Sequence, residues 1–227
     1  MRGETSPITK SYEGLRIEAA PAPFFETPLV IAQLKHAQDL LADLRGTILA
    51  RKAVSAGLSR SNYGGWHSET DMLDWGGPAA AKLAQSAVNL AKRMSFFQET
   101  GVDAYHWQVR MWANVTPKGG LNQLHAHPQN LWAGVLYVDM GDGGSGGDVG
   151  GALYFEDPRF PMCAMHHTAF RLMGVDGQPQ AYQPELRPRA GDLIVFPAWL
   201  RHGVRPYTGE GERISIAMNI DAKERPR

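Results

Sequence analysis

Two histidines, His125 and His127, stand two residues apart near the middle of the chain, and Pro128 follows them. On a β-strand, residues i and i+2 point to the same face, so the two imidazoles could converge on one metal ion. A lone H-x-H pair is weak evidence, because a histidine is more often a surface or core residue than a ligand. A metal site needs at least a third ligand, and the best candidate is the distant His202.

A strand with an arginine on one face suggests a second kind of chemistry. In the predicted strand 212–220, one face carries Arg213, Ser215, Ala217 and Asn219, and the other carries Ile214, Ile216, Met218 and Ile220. If the apolar face packs against helices, the arginine points into the interior, where an unpaired guanidinium is costly. A carboxylate ligand would satisfy it, with the serine hydroxyl as a second donor. An internal salt bridge, or a solvated edge strand, explains the same pattern equally well.

The elements that must position these residues follow from periodicity. Apolar spacings of three and four predict a helix from Pro28 to about Ser55, capped by Thr27, and a second from Pro78 to about Glu99. Short alternating runs then predict strands at 105–115, 130–140, 152–156, 192–197 and 212–220. Helices followed by short strands with Gly and Pro turns favour a mostly β fold with α-helices. The expected architecture is a double-stranded β-helix (jelly-roll, cupin-like) barrel buttressed by the N-terminal helices.

Two glycine- or proline-rich segments separate the predicted strands. Gly141–Gly151 is expected to be a flexible hairpin loop and not a phosphate loop, because no helix with Lys-Ser/Thr follows it. Asp157–Pro188 has weak periodicity, which predicts a long loop or lid with at most one β-ribbon.

Composition restricts the class of protein. The chain has 227 residues, which fits one domain, and 23 basic residues balance 23 acidic ones, so there is no electrostatic case for nucleic acid or an acidic membrane. The single cysteine, Cys163, excludes an internal disulfide and fits a reducing compartment. Neither a membrane-spanning run nor a signal peptide is found, so we expect a cytoplasmic location.

The arrangement of these residues resembles the Fe(II)/2-oxoglutarate oxygenase superfamily, and more closely a bacterial group of 2-oxoglutarate–Fe(II) oxygenases. The similarity runs from about residue 58 to 222. It is carried by Ser61-Asn-x-Gly-Gly-Trp-His67, Trp112-x-Asn114, Asn122-x-x-His125-x-His127-Pro128, Gly134-Val-Leu-Tyr137, Phe155-x-Asp157-Pro158-Arg159, Pro188-x-x-Gly191-Asp, Phe196-Pro197-x-Trp199-Leu-x-His202-x-Val204-x-Pro206 and Glu212-Arg213-Ile-Ser215. Ordered agreement at so many points is more specific than any single motif.

The resemblance implies a single oxygenase domain over residues 1–227, with 1–101 as an N-terminal extension and helical buttress and 102–222 as the jelly-roll core. It implies Fe(II) on His125, His127 and His202, with Arg213 and Ser215 holding the distal carboxylate of 2-oxoglutarate. Tyr137 or Asn122 would add a hydrogen bond to that cofactor. The chain would couple oxidative decarboxylation of 2-oxoglutarate by O2 to hydroxylation of an unknown small molecule or protein side chain. The residues placed at the substrate mouth are Arg110, Trp112 and Asn114, with Trp66 and His67 as further candidates.

One position departs from the superfamily pattern and keeps alternatives open. Most members carry Asp or Glu where this chain has His127, although the closer group also has histidine there. Three imidazoles suit non-haem iron, and also Zn, Cu and Ni. We favour all three histidines as ligands, the alternative being that His127 only supports the other two. The rival functions are a three-histidine cupin-like dioxygenase without 2-oxoglutarate and a non-catalytic jelly-roll binding module. The sequence also leaves open whether the chain forms a homodimer.

Overall fold

The computed structural model describes residues 14, 16, 18–20, 22, 24–98, 100–144 and 148–225. Its helices are α1 (Gln38–Val54), α2 (Met72–Trp75) and α3 (Gly77–Arg93). Its strands are β1 (Val30–Gln33), β2 (Asn62–Tyr63), β3 (Trp66–His67), β4 (Tyr105–Thr116), β5 (Leu121–His125), β6 (Trp132–Met140), β7 (Leu153–Phe155), β8 (Glu185–Leu186), β9 (Asp192–Pro197), β10 (His202–Val204) and β11 (Arg213–Glu224).

The strands form two antiparallel sheets. The larger has the order β1-β9-β6-β11-β4-β3, and the smaller has the order β2-β5-β10-β7-β8. In the larger sheet β11 is central, because it pairs along its length with β4 on one side and with β6 on the other. The fold is therefore mostly β, with helices added from the N-terminal half of the described chain.

Two apolar cores lie on opposite faces of the larger sheet. The first packs buried residues of α1 and α3, such as Leu44 and Leu83, against the outer face of β4 and β11. The second joins Tyr137 and Phe196 of the larger sheet to Phe155 of the smaller one. Because that second core contains side chains of both sheets, the inner face of β11 looks into the space between them.

The alternating faces predicted for the strands are confirmed. The apolar face of β11 belongs to the helix-facing core, as do Met111, Ala113 and Val115 of β4. The predicted strand 192–197 coincides with β9, and the others shift by a few residues at their ends. Within Asp157–Pro188 the regular structure is a short 3-10 helix (Met162–Ala164), β8 and one isolated bridge between Met173 and Pro179. The predicted long loop is therefore confirmed, while its role as a lid stays a prediction.

The first predicted helix is wrong at its start. Residues 30–33 form strand β1, which pairs with β9 at the edge of the larger sheet, and the helix begins only at Gln38, so Thr27 is no N-cap. Pro28 holds the backbone extended, and the β-branched Val30 and Ile31 favour a strand once β9 offers a partner. The second helix ends at Arg93, earlier than predicted. Its predicted end, Glu99, and residues 145–147 of the glycine loop lie outside the described residues.

The helix-facing core gives a direct stability prediction. Ile216 is fully buried at the centre of β11, beneath the helices. We expect Ile216→Ala to lower the free energy of unfolding by about 3 kcal/mol, since it removes buried methyl groups and leaves a cavity. Urea unfolding followed by circular dichroism would measure the loss. Lys223→Ala on the exposed end of the same strand is the control and should change stability by less than about 0.5 kcal/mol.

In the part of the chain that the structure describes, no helix is both long and apolar enough to span a bilayer.

Candidate metal centre and adjoining pocket

Two of the three candidate histidines lie opposite each other on paired strands of the smaller sheet. His125 ends β5, His202 begins β10, and the two are direct partners in the antiparallel register. Their ring centroids are 4.5 Å apart. His127 lies just beyond β5, where its backbone N–H donates to the carbonyl of Ala198 at 2.8 Å. The structure thus brings together three histidines that are up to 77 residues apart in sequence.

Each imidazole presents the same nitrogen to the centre of the cluster. Nδ1 of His125 lies 2.7 Å from the carbonyl oxygen of Gln123, and Nδ1 of His202 lies 2.9 Å from that of Leu200. Nδ1 of His127 contacts the side-chain oxygen of Asn219. Because a carbonyl oxygen only accepts hydrogen bonds, each ring must carry its proton on Nδ1. The three Nε2 lone pairs are then free to bind an ion.

The spacing of these lone pairs fits a metal ion. Nε2 of His127 and Nε2 of His125 are 3.1 Å apart, and one ring nitrogen from each of the three residues lies within 4.8 Å of the others. Two nitrogens about 2.1 Å from one ion, at a right angle, are roughly 3 Å apart. Without a cation, two lone pairs at this distance would only repel each other. No other group of three potential ligands of this kind occurs among the described residues.

The electrostatics of the cluster keep the imidazoles neutral. Burial lowers the pKa of His125 and His127, and it lowers the pKa of His202 to about 3, with help from the neighbouring His125. His202 is only 6% exposed and packs against the ring of Phe196 at 4.6 Å. Neutral imidazole is the form that binds metals, so the site is ready for an ion at neutral pH.

A cavity of about 500 Å³, counting its open mouth, connects this cluster with the inner face of β11. All three histidines line it. So do Tyr137, Asn122, Arg213 and Ser215, the residues predicted to hold a dicarboxylate, together with Trp112 and Asn114 from β4. The predicted metal and cofactor residues therefore all line one cavity, whereas Arg110, Trp66 and His67 are not among its lining residues.

Arg213 is the most unusual residue in this cavity. It is 2% exposed, yet its Nε and Nη2 atoms have no hydrogen-bond partner. Among the described residues, no carboxylate lies within 4.0 Å of its guanidinium, so the internal salt bridge left open by the sequence is not formed there. Burial lowers the pKa of Arg213, which records how poorly this charge is solvated. A buried cation with no neighbouring carboxylate and with two nitrogens that lack an acceptor is the pattern expected of a binding site for an anion.

Tyr137 stands beside that guanidinium. The Cζ atom of Arg213 lies 4.8 Å from the tyrosine ring centroid, and the tyrosine hydroxyl has no hydrogen-bond partner. Burial raises the pKa of Tyr137 to about 12, against the opposing effect of the nearby arginine. The hydroxyl therefore keeps its proton and can donate it to an anion. Ser215 is aligned with Tyr137 in the register of β11 and β6, so a second hydroxyl enters the cavity at the same level.

Arg110 lies apart from this cavity. Its Nη2 donates to the side-chain oxygen of Asn130 at 3.0 Å, and Asn130 in turn donates to the backbone carbonyls of His127 and Pro128. The arginine shares a strand face with Trp112 and Asn114, but it stands further along β4, beside the turn that follows the histidine pair. A substrate role for it stays a prediction.

The sequence did not predict the contacts that two residues, Asn219 and His67, make near the histidine cluster. Asn219 was placed on the inner face of β11, but its contact with His127 depends on tertiary structure. His67 was a further candidate for the substrate mouth, although a structural turn explained it equally well. It is buried, and its ring stacks on Trp112 at 5.6 Å, while Trp112 stacks on His127 at 5.8 Å. Alternation along β4 places Trp112 on the cavity side of the strand, but it gives no signal for its contacts with the two histidines.

Residues 110–219 match the family model described as "Putative 2OG-Fe(II) oxygenase", in which 2OG is 2-oxoglutarate. The matched range begins in β4 and ends in β11, so it includes all three histidines, Arg213 and Ser215. No curated protein sequence matches the chain significantly.

Among the solved structures with a similar fold are two prolyl hydroxylases and one protein with 2-oxoglutarate bound. A prolyl-4-hydroxylase from Pseudomonas putida is 18% identical, with a TM-score of 0.57 over 88% of this chain and 94% of its own. A prolyl hydroxylase from Trichoplax adhaerens, in complex with a hypoxia-inducible-factor peptide, is 13% identical, with a TM-score of 0.58 over 85% and 83%. HygX from Streptomyces hygroscopicus, with nickel and 2-oxoglutarate bound, is 15% identical, with a TM-score of 0.56 over 86% and 83%. These likenesses establish a shared fold, and over residues 110–219 the sequence matches the 2OG-Fe(II) oxygenase family model.

Proposed function

We propose that this chain is an Fe(II)- and 2-oxoglutarate-dependent oxygenase in which His125, His127 and His202 hold the iron. One observation carries the proposal: a buried guanidinium with no acceptor for its Nε and Nη2 opens onto the same cavity as three convergent imidazole lone pairs. A three-histidine dioxygenase that does not use 2-oxoglutarate has no need for Arg213. A binding module has no need for three imidazoles with free Nε2 atoms.

The proposed fold is the jelly-roll of such oxygenases, with 102–222 as its core and the chain as a single oxygenase domain. The two antiparallel sheets with a second core between them support this architecture. The helices over the outer face of the larger sheet would be the buttress expected from the sequence.

In the proposed site, 2-oxoglutarate lies with its distal carboxylate against Arg213. The guanidinium offers N–H donors in a planar fork that matches a carboxylate. The hydroxyls of Tyr137 and Ser215 would donate to the same carboxylate, and Asn122 faces the cavity as a further polar contact. Iron bound by the histidines would supply the activation of O2 that couples decarboxylation of 2-oxoglutarate to oxidation of the substrate.

The protein's own contribution is to orient the reactants and exclude water. Phe196, Leu153 and Val204 line the cavity around His202 and give the site an apolar wall. A dry wall strengthens the charge interactions of Arg213 and protects reactive species from water. Trp112 and Asn114 would face the substrate. Asn114 Oδ1 has no partner, so a group that donates a hydrogen bond would satisfy it.

The substrate is proposed only as a class. Among the structural neighbours, one prolyl hydroxylase binds a peptide and HygX is also known with hygromycin B. We therefore propose a small molecule or a protein side chain that is hydroxylated in the presence of O2.

The test is an anaerobic titration of the metal-free protein with Fe(II) and then with 2-oxoglutarate. We expect a visible metal-to-ligand charge-transfer band that appears only when both are present. Subsequent admission of O2 should convert 2-oxoglutarate into succinate. Iron binding without this band would favour the cupin-like dioxygenase, and absence of iron binding would favour the binding module.

Tyr137→Phe tests the proposed second donor. The hydroxyl is buried and unpaired without ligand, so its removal should leave the free energy of unfolding unchanged or slightly increased. Loss of a hydrogen bond to a charged carboxylate costs about 1.5–3 kcal/mol, so we expect 2-oxoglutarate to bind roughly 10- to 100-fold more weakly. The titration above measures the affinity, and urea unfolding of the ligand-free variant measures the stability. Tyr154→Phe, in the smaller sheet but outside the cavity lining, should bind 2-oxoglutarate as the unmodified protein does.

A further inference from the structure

His127 is held differently from the other two histidines. His125 and His202 lie on strands, and each directs Nδ1 to a backbone carbonyl two residues earlier in the chain. His127 lies beyond the end of β5, and its Nδ1 meets a side chain, Asn219. A backbone carbonyl acceptor is retained when the side chain of its residue is substituted, whereas a side-chain acceptor is lost when that one residue is replaced. The orientation of His127 is therefore the one in this cluster that a distant residue controls.

Asn219 is well anchored for this task. It lies within β11, where its register partners are Ala133 on one side and Arg110 on the other, so its backbone is fixed by both neighbouring strands. The Trp112 ring, from the adjacent strand, stacks on His127 at 5.8 Å and limits tilting of the imidazole. The amide oxygen then determines which nitrogen of the imidazole carries the proton.

We propose that Asn219 is the positioning residue that makes His127 a metal ligand. This inference rests on the proposed function and concerns the position where most of the superfamily has a carboxylate. The amide oxygen accepts the Nδ1–H of His127, which fixes the tautomer and turns the Nε2 lone pair toward the Nε2 of His125, 3.1 Å away. Without that acceptor the ring can rotate or change tautomer, and the third ligand is lost for part of the time. Partners of this kind are worth about 10- to 100-fold in metal affinity.

The test compares Asn219→Leu with Asn219→Asp in metal-free protein titrated anaerobically with Co(II) or Fe(II). Leucine has a similar shape but no acceptor, and we expect it to weaken metal binding by about 10- to 100-fold and to alter the visible Co(II) spectrum. Aspartate keeps an acceptor oxygen in the same place, so it should restore the affinity and the spectrum. Urea unfolding of the metal-free variants would show whether they are equally folded.

A double-mutant cycle with His127→Ala separates positioning from a merely structural effect. If Asn219 acts through His127, then Asn219→Leu should cause no further loss of metal affinity once His127 is alanine. Undiminished binding by Asn219→Leu, or the same loss in the His127→Ala background, would overturn the inference while leaving the proposed function intact. Failure of the unmodified protein to bind either metal would overturn both.

Discussion

Replacing His202 by alanine is expected to abolish Fe(II) binding and with it all O2-dependent consumption of 2-oxoglutarate. His202 supplies one of three convergent Nε2 atoms, and its Nδ1 is already committed to the carbonyl of Leu200. Loss of a group that merely supports a metal ligand costs about 10- to 100-fold in affinity, so loss of a ligand should exceed 100-fold. Anaerobic equilibrium dialysis against Fe(II), and succinate formation after O2 is admitted, would measure the two effects.

The control for this prediction separates the metal site from general damage. His202 is buried among aromatic rings, so His202→Ala also costs stability. His125→Ala removes a half-buried ring and should lose iron to the same degree with less effect on unfolding. His106→Ala, on an exposed position of β4, should change neither property. Iron binding by His202→Ala at undiminished affinity would place the metal site elsewhere in the chain.

The inner surface of the site was predictable because it depends on local geometry. Period-two alternation alone places Arg213 and Ser215 on one face of β11 and the isoleucines on the other, and the structure has this arrangement. The same alternation places Trp112 and Asn114 on the cavity side of β4. Such patterns show which face of a strand is apolar. A strand that buries one face has few alternative registers, because a shift by one residue would expose its apolar side chains.

The parts that could not be predicted depend on contacts between distant segments. Residues 30–33 were predicted to be the start of a helix, but they pair with β9, which lies more than 150 residues later in the chain. The register that places His125 opposite His202 and the contact of Asn219 with His127 also join segments that are distant in sequence. For Arg110 the strand face was predicted correctly but the position was not. Alternation shows which face a residue lies on, and it does not show where along the strand the cavity ends.

Arg213 is the residue for which stability and function are expected to oppose each other. Its guanidinium is buried without a hydrogen-bond partner at Nε and Nη2, and the nearby Tyr137 ring offsets part of the desolvation cost of the charge in the ligand-free protein. Methionine has a similar length and no charge. We expect Arg213→Met to raise the free energy of unfolding of the ligand-free protein by about 1–4 kcal/mol, in line with other replacements of buried charges by apolar side chains.

The same substitution should nearly eliminate binding of 2-oxoglutarate. Truncation of one partner in a buried charge pair costs about 2–5 kcal/mol, which corresponds to a loss of at least about 30-fold in affinity. A ligand that binds only the folded state raises the melting temperature, so saturating 2-oxoglutarate with iron should stabilise the unmodified protein and not Arg213→Met. Without the cofactor, Arg213→Met should melt at a higher temperature than the unmodified protein. With the cofactor, this difference in melting temperature should shrink or reverse. Thermal unfolding with and without the cofactor measures the change.

Two further variants test whether this effect on the melting temperatures depends on the guanidinium in the cavity. Arg213→Lys keeps a positive charge but loses the planar fork, so it should bind 2-oxoglutarate with intermediate affinity and gain little stability. Arg187→Met removes an exposed arginine that pairs with Asp148, and neither melting temperature should change by more than about 2 °C. If Arg213→Met were destabilised without ligand and still bound 2-oxoglutarate normally, the arginine would be a structural residue and the anion site would have to lie elsewhere. A reversed difference in melting temperature, in contrast, requires that the buried charge of Arg213 destabilises the ligand-free fold and that the carboxylate of the cofactor pairs with it.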